Sequence, residues 1–234
     1  KAHMALKTTT SYMGCESFPL GLSLESQLPT GKGMAASTAD IVAVIQAVAT
    51  AIDEELEPEE IAEIAAGIEP TDGIFYPGIV QMNYMTGELI KSYGNAPKMI
   101  IAMFDMGGSI NTVEFHSEYH GHEDSPKELL EAIDKLDVDF SPRQIAHVAT
   151  LSALANQKLV PKPHLEEIIK YSATLGALGV NVAHSGTMVG VLFAPDESMK
   201  HVMEAVEKIR EKFPALEYFE TERLISGGYD IEQR

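Results

Sequence analysis

Apolar side chains recur at intervals of four, three and four residues through Ile41, Ile45, Val48 and Ile52, the spacing that lines one face of a helix. A helix is therefore expected directly after the small-residue run Ala35, Ala36, Ser37 and Thr38. A second is expected from Pro58, whose fixed φ suits a first turn, with Glu59 and Glu60 at its positive end and Gly67 to close it. IEPTDGIFYPG, which follows, reads as a loop. KMIIAMFDM from Lys98 and NTVEF from Asn111 have strand length and branched or aromatic side chains, with GGS between them. Ser125-Pro126-Lys127-Glu128 and Ser141-Pro142-Arg143-Gln144 each combine a capping hydroxyl, a first-turn proline and an acid or amide three residues on, so each predicts a helix start. Beyond them the pattern predicts a helix over 165–175, a strand, glycine turn and strand over GVNVAHSGTMVGVLFA, a helix through Met199, Val202, Met203, Val206 and Ile209, and a last strand in LEYFETERLISGG. No repeat or low-complexity tract interrupts this mixed pattern. GNAPK, near residue 96, is the candidate boundary between two lobes.

Composition narrows the setting. The 234 residues are 45% hydrophobic and 22% charged, ordinary globular usage with enough chain for a sizeable core. No apolar run approaches the roughly 20 residues that span a bilayer, and KAHMALKTTTSYMG has no signal-peptide core, so a soluble cytoplasmic protein is expected. Cys15 is the single cysteine; it can form no intrachain disulfide, and no role is assigned to it. A formal charge of -18 repels nucleic acid and anionic membranes. The expected partners are small molecules, and an anionic ligand needs local help from helix-terminal N–H groups, a lysine or a metal ion.

LPTGKGMAAST offers such a place. Gly31-Lys32-Gly33 fits neither a Walker A loop nor a dinucleotide fingerprint, because the required glycines and hydroxyl fall elsewhere. The small residues after it would nevertheless open the first turn of a helix to an anion; an ordinary glycine turn before a buried helix is the competing reading. Glu69 and Asp72 in EPTDG suit either a solvated turn or a metal ligand and a proton acceptor. His184, Ser185, Gly186 and Thr187 form a turn between strands that a plain hairpin would also explain. Lys162, between Pro161 and Pro163, reads as a rigid, exposed lysine or a helix lead-in. His116, His120 and His122 lack a metal-binding spacing and read as surface residues.

Taken together, PTGKGMAAST, EPTDG and NVAHSGTMVGVLF resemble the three motifs of the GHMP kinase superfamily, in order and spacing. Met34 stands in the leucine place of its phosphate loop, and Ala35 and Ala36 replace a glycine and the first serine. Within the superfamily, KGMAASTADI, EPTD, ATLSALANQKLVPKP, GVNVAHSGTMVG and ISGG are similar to the L-threonine kinases of cobalamin biosynthesis and salvage. The resemblance covers residues 28–228. The superfamily's first motif has no counterpart before KAHMALK: either an N-terminal piece is lacking or part of the site has been lost. The first is favoured, because loss would strip strands from a sheet and expose its edge.

The resemblance implies an α/β plus α+β two-lobed fold: a ribosomal S5 domain 2-like ATP-binding lobe over 1–96, lacking its first strands, and a ferredoxin-like lobe over 97–234. It also implies transfer of a phosphoryl group from ATP to L-threonine, giving ADP and O-phospho-L-threonine for the aminopropanol linker of cobalamin. Pro29, Gly31, Lys32, Gly33, Met34, Ala35, Ala36, Ser37 and Thr38 would hold ATP, Ser37 and Glu69 would hold Mg²⁺, Asp72 would accept the hydroxyl proton, and His184, Ser185, Gly186 and Thr187 would close the site. Another GHMP kinase acting on homoserine or a related alcohol, or a ligand sensor without turnover, are the alternatives. A homodimer is left open.

Overall fold

A computed structural model describes residues 1–15, 21–108 and 125–229. NTVEF and the three histidines 116, 120 and 122 lie outside the described residues. The chain divides into two units, Lys1–Pro29 with Ala35–Asn95 and Ser226–Arg234, and Thr30–Met34 with Ala96–Ile225. Short segments thus cross over: the loop Thr30–Met34 belongs to the second unit, and the C-terminal residues to the first.

The first unit holds helices α1 (Ala2–Tyr12), α2 (Ala36–Ala51) and α3 (Pro58–Ala66) and an antiparallel pair, β1 (Ile79–Met82) and β2 (Leu89–Gly94). Of the stripe predicted for α2, Ile41, Ile45 and Val48 lie on its buried face, at most 1% exposed, while Ile52 follows the helix as its partly buried C-cap. They pack with Ala5 of α1 and Ile61, Ala62, Ile64 and Ala65 of α3. α3 begins as expected from Pro58, through a capping box in which Glu57 and Glu60 each bind the other's backbone. Gly67 ends it in right-handed rather than left-handed geometry. The C-terminal segment is tied in by the Gly78 amide donating to Ser226 O at 3.0 Å and the Tyr229 hydroxyl donating to Leu56 O at 3.3 Å.

Among the described residues the second unit holds a four-stranded antiparallel sheet, ordered β4-β5-β3-β6, from β3 (Ile100–Asp105), β4 (Gly179–Val182), β5 (Met188–Phe193) and β6 (Glu217–Arg223). Helices α4 (Lys127–Asp134), α5 (Pro142–Asn156) and α6 (Leu165–Thr174) lie between β3 and β4, and α7 (Met199–Lys212) lies between β5 and β6. This order and connectivity is the ferredoxin-like βαββαβ arrangement. β3 alternates, burying Ile100, Ala102 and Phe104 against Leu165 and Ile168 of α6 and Val202, Val206 and Ile209 of α7. Leu192 of β5 faces the opposite layer with Ala146 of α5. Covered on both faces, β5 is buried along its whole length, which accounts for its near-continuous apolar sequence.

Ser141 caps α5 as expected, its Oγ accepting from Gln144 N at 3.3 Å. Ser125 does not cap α4: Pro126 occupies the N-cap position and no side chain caps that end. The proline therefore stands one residue before the first turn it was expected to fill, and the serine hydroxyl falls out of register with the free N–H groups.

Candidate active site

In the first unit the start of α2 brings Ser37 to Glu69. The Ser37 hydroxyl donates to Glu69 Oε1, and the Lys1 ammonium reaches both, at 2.8 Å from Ser37 Oγ and 2.7 Å from Glu69 Oε2. Ala35, before the helix, is left-handed at φ 55°, and no side chain caps the first turn, leaving N–H groups that need an outside acceptor. The next residue anchors the second acid. Thr38, 2% exposed, accepts at Oγ1 from the Asp72 backbone N–H at 3.1 Å and from the Thr71 hydroxyl at 3.3 Å. Thr71 is itself fixed by its amide donating to Tyr84 O at 2.9 Å. The Asp72 side chain is exposed while its backbone is held.

These groups fit the cofactors the motifs call for. A hydroxyl and a carboxylate already in contact, with a cation against both, form a hard-oxygen site for a positive charge. Mg²⁺ characteristically takes only one or two protein carboxylates and completes its shell with phosphate and water. Among the described residues there is no cluster of three or more His, Cys, Asp or Glu able to hold a metal without such help.

In the second unit the loop 30–34 meets the β4–β5 turn. Lys32 O accepts from Thr187 N at 3.0 Å and Met188 N at 3.3 Å. Gly33, at φ +80°, lies so close to the turn that a Cβ on it would overlap Ala183 Cβ and sit 2.8 Å from Gly186 Cα. A Cβ on Gly186 would strike Lys32 O. Two glycines are thus required back to back, an observation that a plain hairpin leaves unexplained. The Lys32 ammonium pairs with Asp105 at the end of β3 and donates to Gly108 O at 2.8 Å. Asp105 also accepts from Thr187 Oγ1 at 2.6 Å and Gly107 N at 3.0 Å. Burial alone would raise its pKa, but the bonds from Lys32, Thr187 and Gly107 outweigh that and hold the carboxyl below its ordinary value. Asp105 had no sequence signal as a partner for Lys32, because the two are joined only by tertiary structure.

Lys162 corrects the sequence expectation of an exposed lysine. It is 3% exposed, and its ammonium donates to Ala183 O at 2.8 Å. The exposed residue of that turn is His184, with Nε2 3.0 Å from Ser152 Oγ and its carbonyl accepting from Asn156 Nδ2 at 3.2 Å. Ser185 is partly buried, and Gly186 and Thr187 are buried.

Burial pushes the Lys162 pKa down from 10.5 to about 8. Below pH 8 the lysine is protonated in both folded and unfolded chains, and the folded state carries the full desolvation penalty. Between pH 8 and 10.5 the folded chain releases a proton that the unfolded chain keeps, so stability rises with pH. Wild type is expected to gain about 3 kcal/mol over this window relative to Lys162→Met. Urea unfolding of both proteins at pH 7.5 and 10.5 measures the difference, and an unchanged gap would contradict the buried charge.

No helix among the described residues is long and apolar enough to cross a membrane. The chain matches the model of the GHMP kinases N terminal domain over residues 2–75 and that of GHMP kinases C terminal over 129–212. It is 25% identical over 219 residues to an L-threonine kinase of Citrobacter freundii, covering 90% of this chain and 75% of that protein. It is also 25% identical over 196 residues to an L-threonine kinase of Salmonella typhimurium strain LT2, covering 82% of this chain and 65% of that one. Among solved structures, a mevalonate kinase superposes with TM-score 0.68 at 20% identity, over 95% of this chain and 75% of that one. A homoserine kinase from Cytophaga hutchinsonii gives 0.59 at 14% identity, over 97% and 75%. With both halves of the family matched in order and the fold shared with its solved members, the chain belongs to the GHMP kinases.

Proposed function

We propose that this kinase transfers the γ-phosphoryl group of ATP to the hydroxyl of L-threonine, giving O-phospho-L-threonine for the aminopropanol linker of cobalamin. The observation that carries the phosphoryl-transfer reading is the pairing of Ser37 with Glu69 at the uncapped start of α2. The choice of threonine rests on the resemblance to two L-threonine kinases over most of the chain. Such transfers depend on positioning and neutralisation of charge more than on covalent chemistry. Pro29 to Thr38 bind the phosphates, with the backbone of Gly31, Lys32, Gly33 and Met34 approaching closely and the N–H groups following Ala35 supplying donors. Mg²⁺, when bound by Ser37 and Glu69, supplies neutralisation of phosphate charge. Asp72 orients the threonine hydroxyl and takes its proton. His184 to Thr187 form the wall that shapes the Lys32–Gly33 backbone. We assign the reaction to the cytoplasm, where ATP is supplied.

Release of ADP across a panel of hydroxylated amino acids tests the reading. Threonine is expected to be the best substrate, with serine detectable at a kcat/KM about 10- to 200-fold lower, because a missing methyl changes transition-state binding by only about 1 to 3 kcal/mol. Homoserine outperforming threonine would overturn the substrate and leave the kinase. ADP release with none of the panel would favour a ligand sensor.

A further inference from the structure

The β4–β5 turn is gripped from behind by side chains that lie outside the three superfamily motifs and to which no role has been given, within the segment ATLSALANQKLVPKP. Lys162 donates to Ala183 O and Asn156, 6% exposed at the end of α5, donates to the next carbonyl, His184 O. Lys162 is itself held by a reciprocal pair: its N–H donates to Gln157 Oε1 at 2.6 Å, and Gln157 Nε2 donates to its carbonyl at 3.0 Å. Pro161 and Pro163 restrict the backbone on either side. Among the described residues the ammonium has no carboxylate partner, an arrangement that disfavours folding when a neutral side chain could fill the space. Its benefit must therefore be sought in what it holds.

The opposite side of the same turn carries the contacts to the glycine loop. Ala183 Cβ abuts Gly33, Gly186 packs on Lys32 and Gly33, and the Thr187 and Met188 amides bind Lys32 O. A shift of the 183 or 184 carbonyl is transmitted across one residue to the backbone at 32–33, because close-packed backbone has no slack to absorb it. We propose that Lys162 and Asn156 are positioning residues for nucleotide binding, holding the 183–187 turn in the placement that keeps the Lys32–Gly33 backbone shaped for a phosphate chain. The proposal rests on reading residues 31–38 as the phosphate loop.

The test uses the full chain and Lys162→Met, with Asn156→Ala as a second variant should the first fail to fold. Two quantities are read well below the melting temperature: amide hydrogen exchange at Thr187 and Met188, and the Kd of a non-hydrolysable ATP analogue with Mg²⁺. Loss of a charge-assisted bond is expected to speed exchange at both amides and weaken the analogue, each by about tenfold, with a smaller effect for Asn156→Ala. A lysine serving stability alone would lower the melting temperature and leave the Kd of the folded protein unchanged. Exchange unchanged in both variants overturns the clamp, and faster exchange with an unchanged Kd overturns its link to nucleotide. A wild type that binds no nucleotide overturns the phosphate-loop reading and the nucleotide half of the proposal, while the exchange rates still decide whether the clamp exists.

Discussion

Asp72→Asn is expected to lose between about 10² and 10⁴ in kcat with saturating threonine and Mg-ATP, while ATP affinity changes little. The substitution leaves size and backbone intact, so the bond from the residue 72 amide to Thr38 Oγ1 survives. What it removes is the charge and basicity of a carboxylate on a fixed stalk. Had the acid been an ordinary exposed turn residue, the change would alter stability by no more than about 0.5 kcal/mol and leave turnover alone. Loose phosphoryl-transfer transition states need limited help from a base, which places Asp72→Asn toward the low end of the range if orientation is the main task. Asp72→Ala removes orientation as well and should be the slower enzyme. Steady-state kinetics of both variants, with folding checked by circular dichroism, settles the point. Near-wild-type turnover in Asp72→Ala would remove this residue from the mechanism.

Gly33→Val should weaken binding of Mg-ATP by roughly 10²-fold, the scale on which a small misplacement of a binding loop is felt. Two independent physical effects act here. The backbone at φ +80° disfavours any side chain, and most strongly a β-branched one. The new atoms would also enter the space of Ala183 Cβ and Gly186 Cα, pushing the loop off the turn it packs against. Gly33→Ala provides a milder version of the same perturbation if valine prevents folding. Reversal of charge at Glu207, an exposed residue paired with Arg210 on the surface of α7, is the control and should leave affinity unchanged, since such pairs contribute about 0 to 1 kcal/mol to stability. Calorimetric titration of the folded proteins distinguishes the cases. Equal affinity in wild type and Gly33→Val would refute a phosphate-binding role for the loop.

Several elements are legible in the local pattern of the chain. The four-three-four stripe predicted α2 because Ile41, Ile45 and Val48 recur at helical spacing along its buried side, which also takes in Val42, Val44 and Ala49. Ser141-Pro142 and Pro58 marked helix starts because a capping hydroxyl and the fixed φ of a first-turn proline act within one turn of chain. The β4 and β5 strands were readable from branched apolar residues around a glycine turn. Three elements gave no such signal. α1 contains three consecutive threonines, poor helix formers, and exists by burying Ala5 and Thr9 against the first-unit core. β1 and β2 are short and half-exposed, with polar Gln81, Lys91 and Ser92 in the strands, so their hydrophobic alternation is weak.

By itself, the sequence determined the order of the helices and strands predicted from local pattern, the small-residue loop leading into α2, and the acids placed three apart in EPTDG. Those features are carried by residue types acting over one or two turns of chain. Tertiary structure alone decided that Lys32 faces Asp105 seventy-three residues away, and that Lys162, flanked by prolines and to all appearance a surface residue, is buried with its charge on Ala183 O; that Ser37 meets Glu69 was implied by the family resemblance but not by local pattern. The physical reason is the same in each case. A side chain's pattern along the chain reports its neighbours within a helical turn or a strand, whereas its partner in an ion pair or its depth in the core is set by which distant backbone the packing brings beside it.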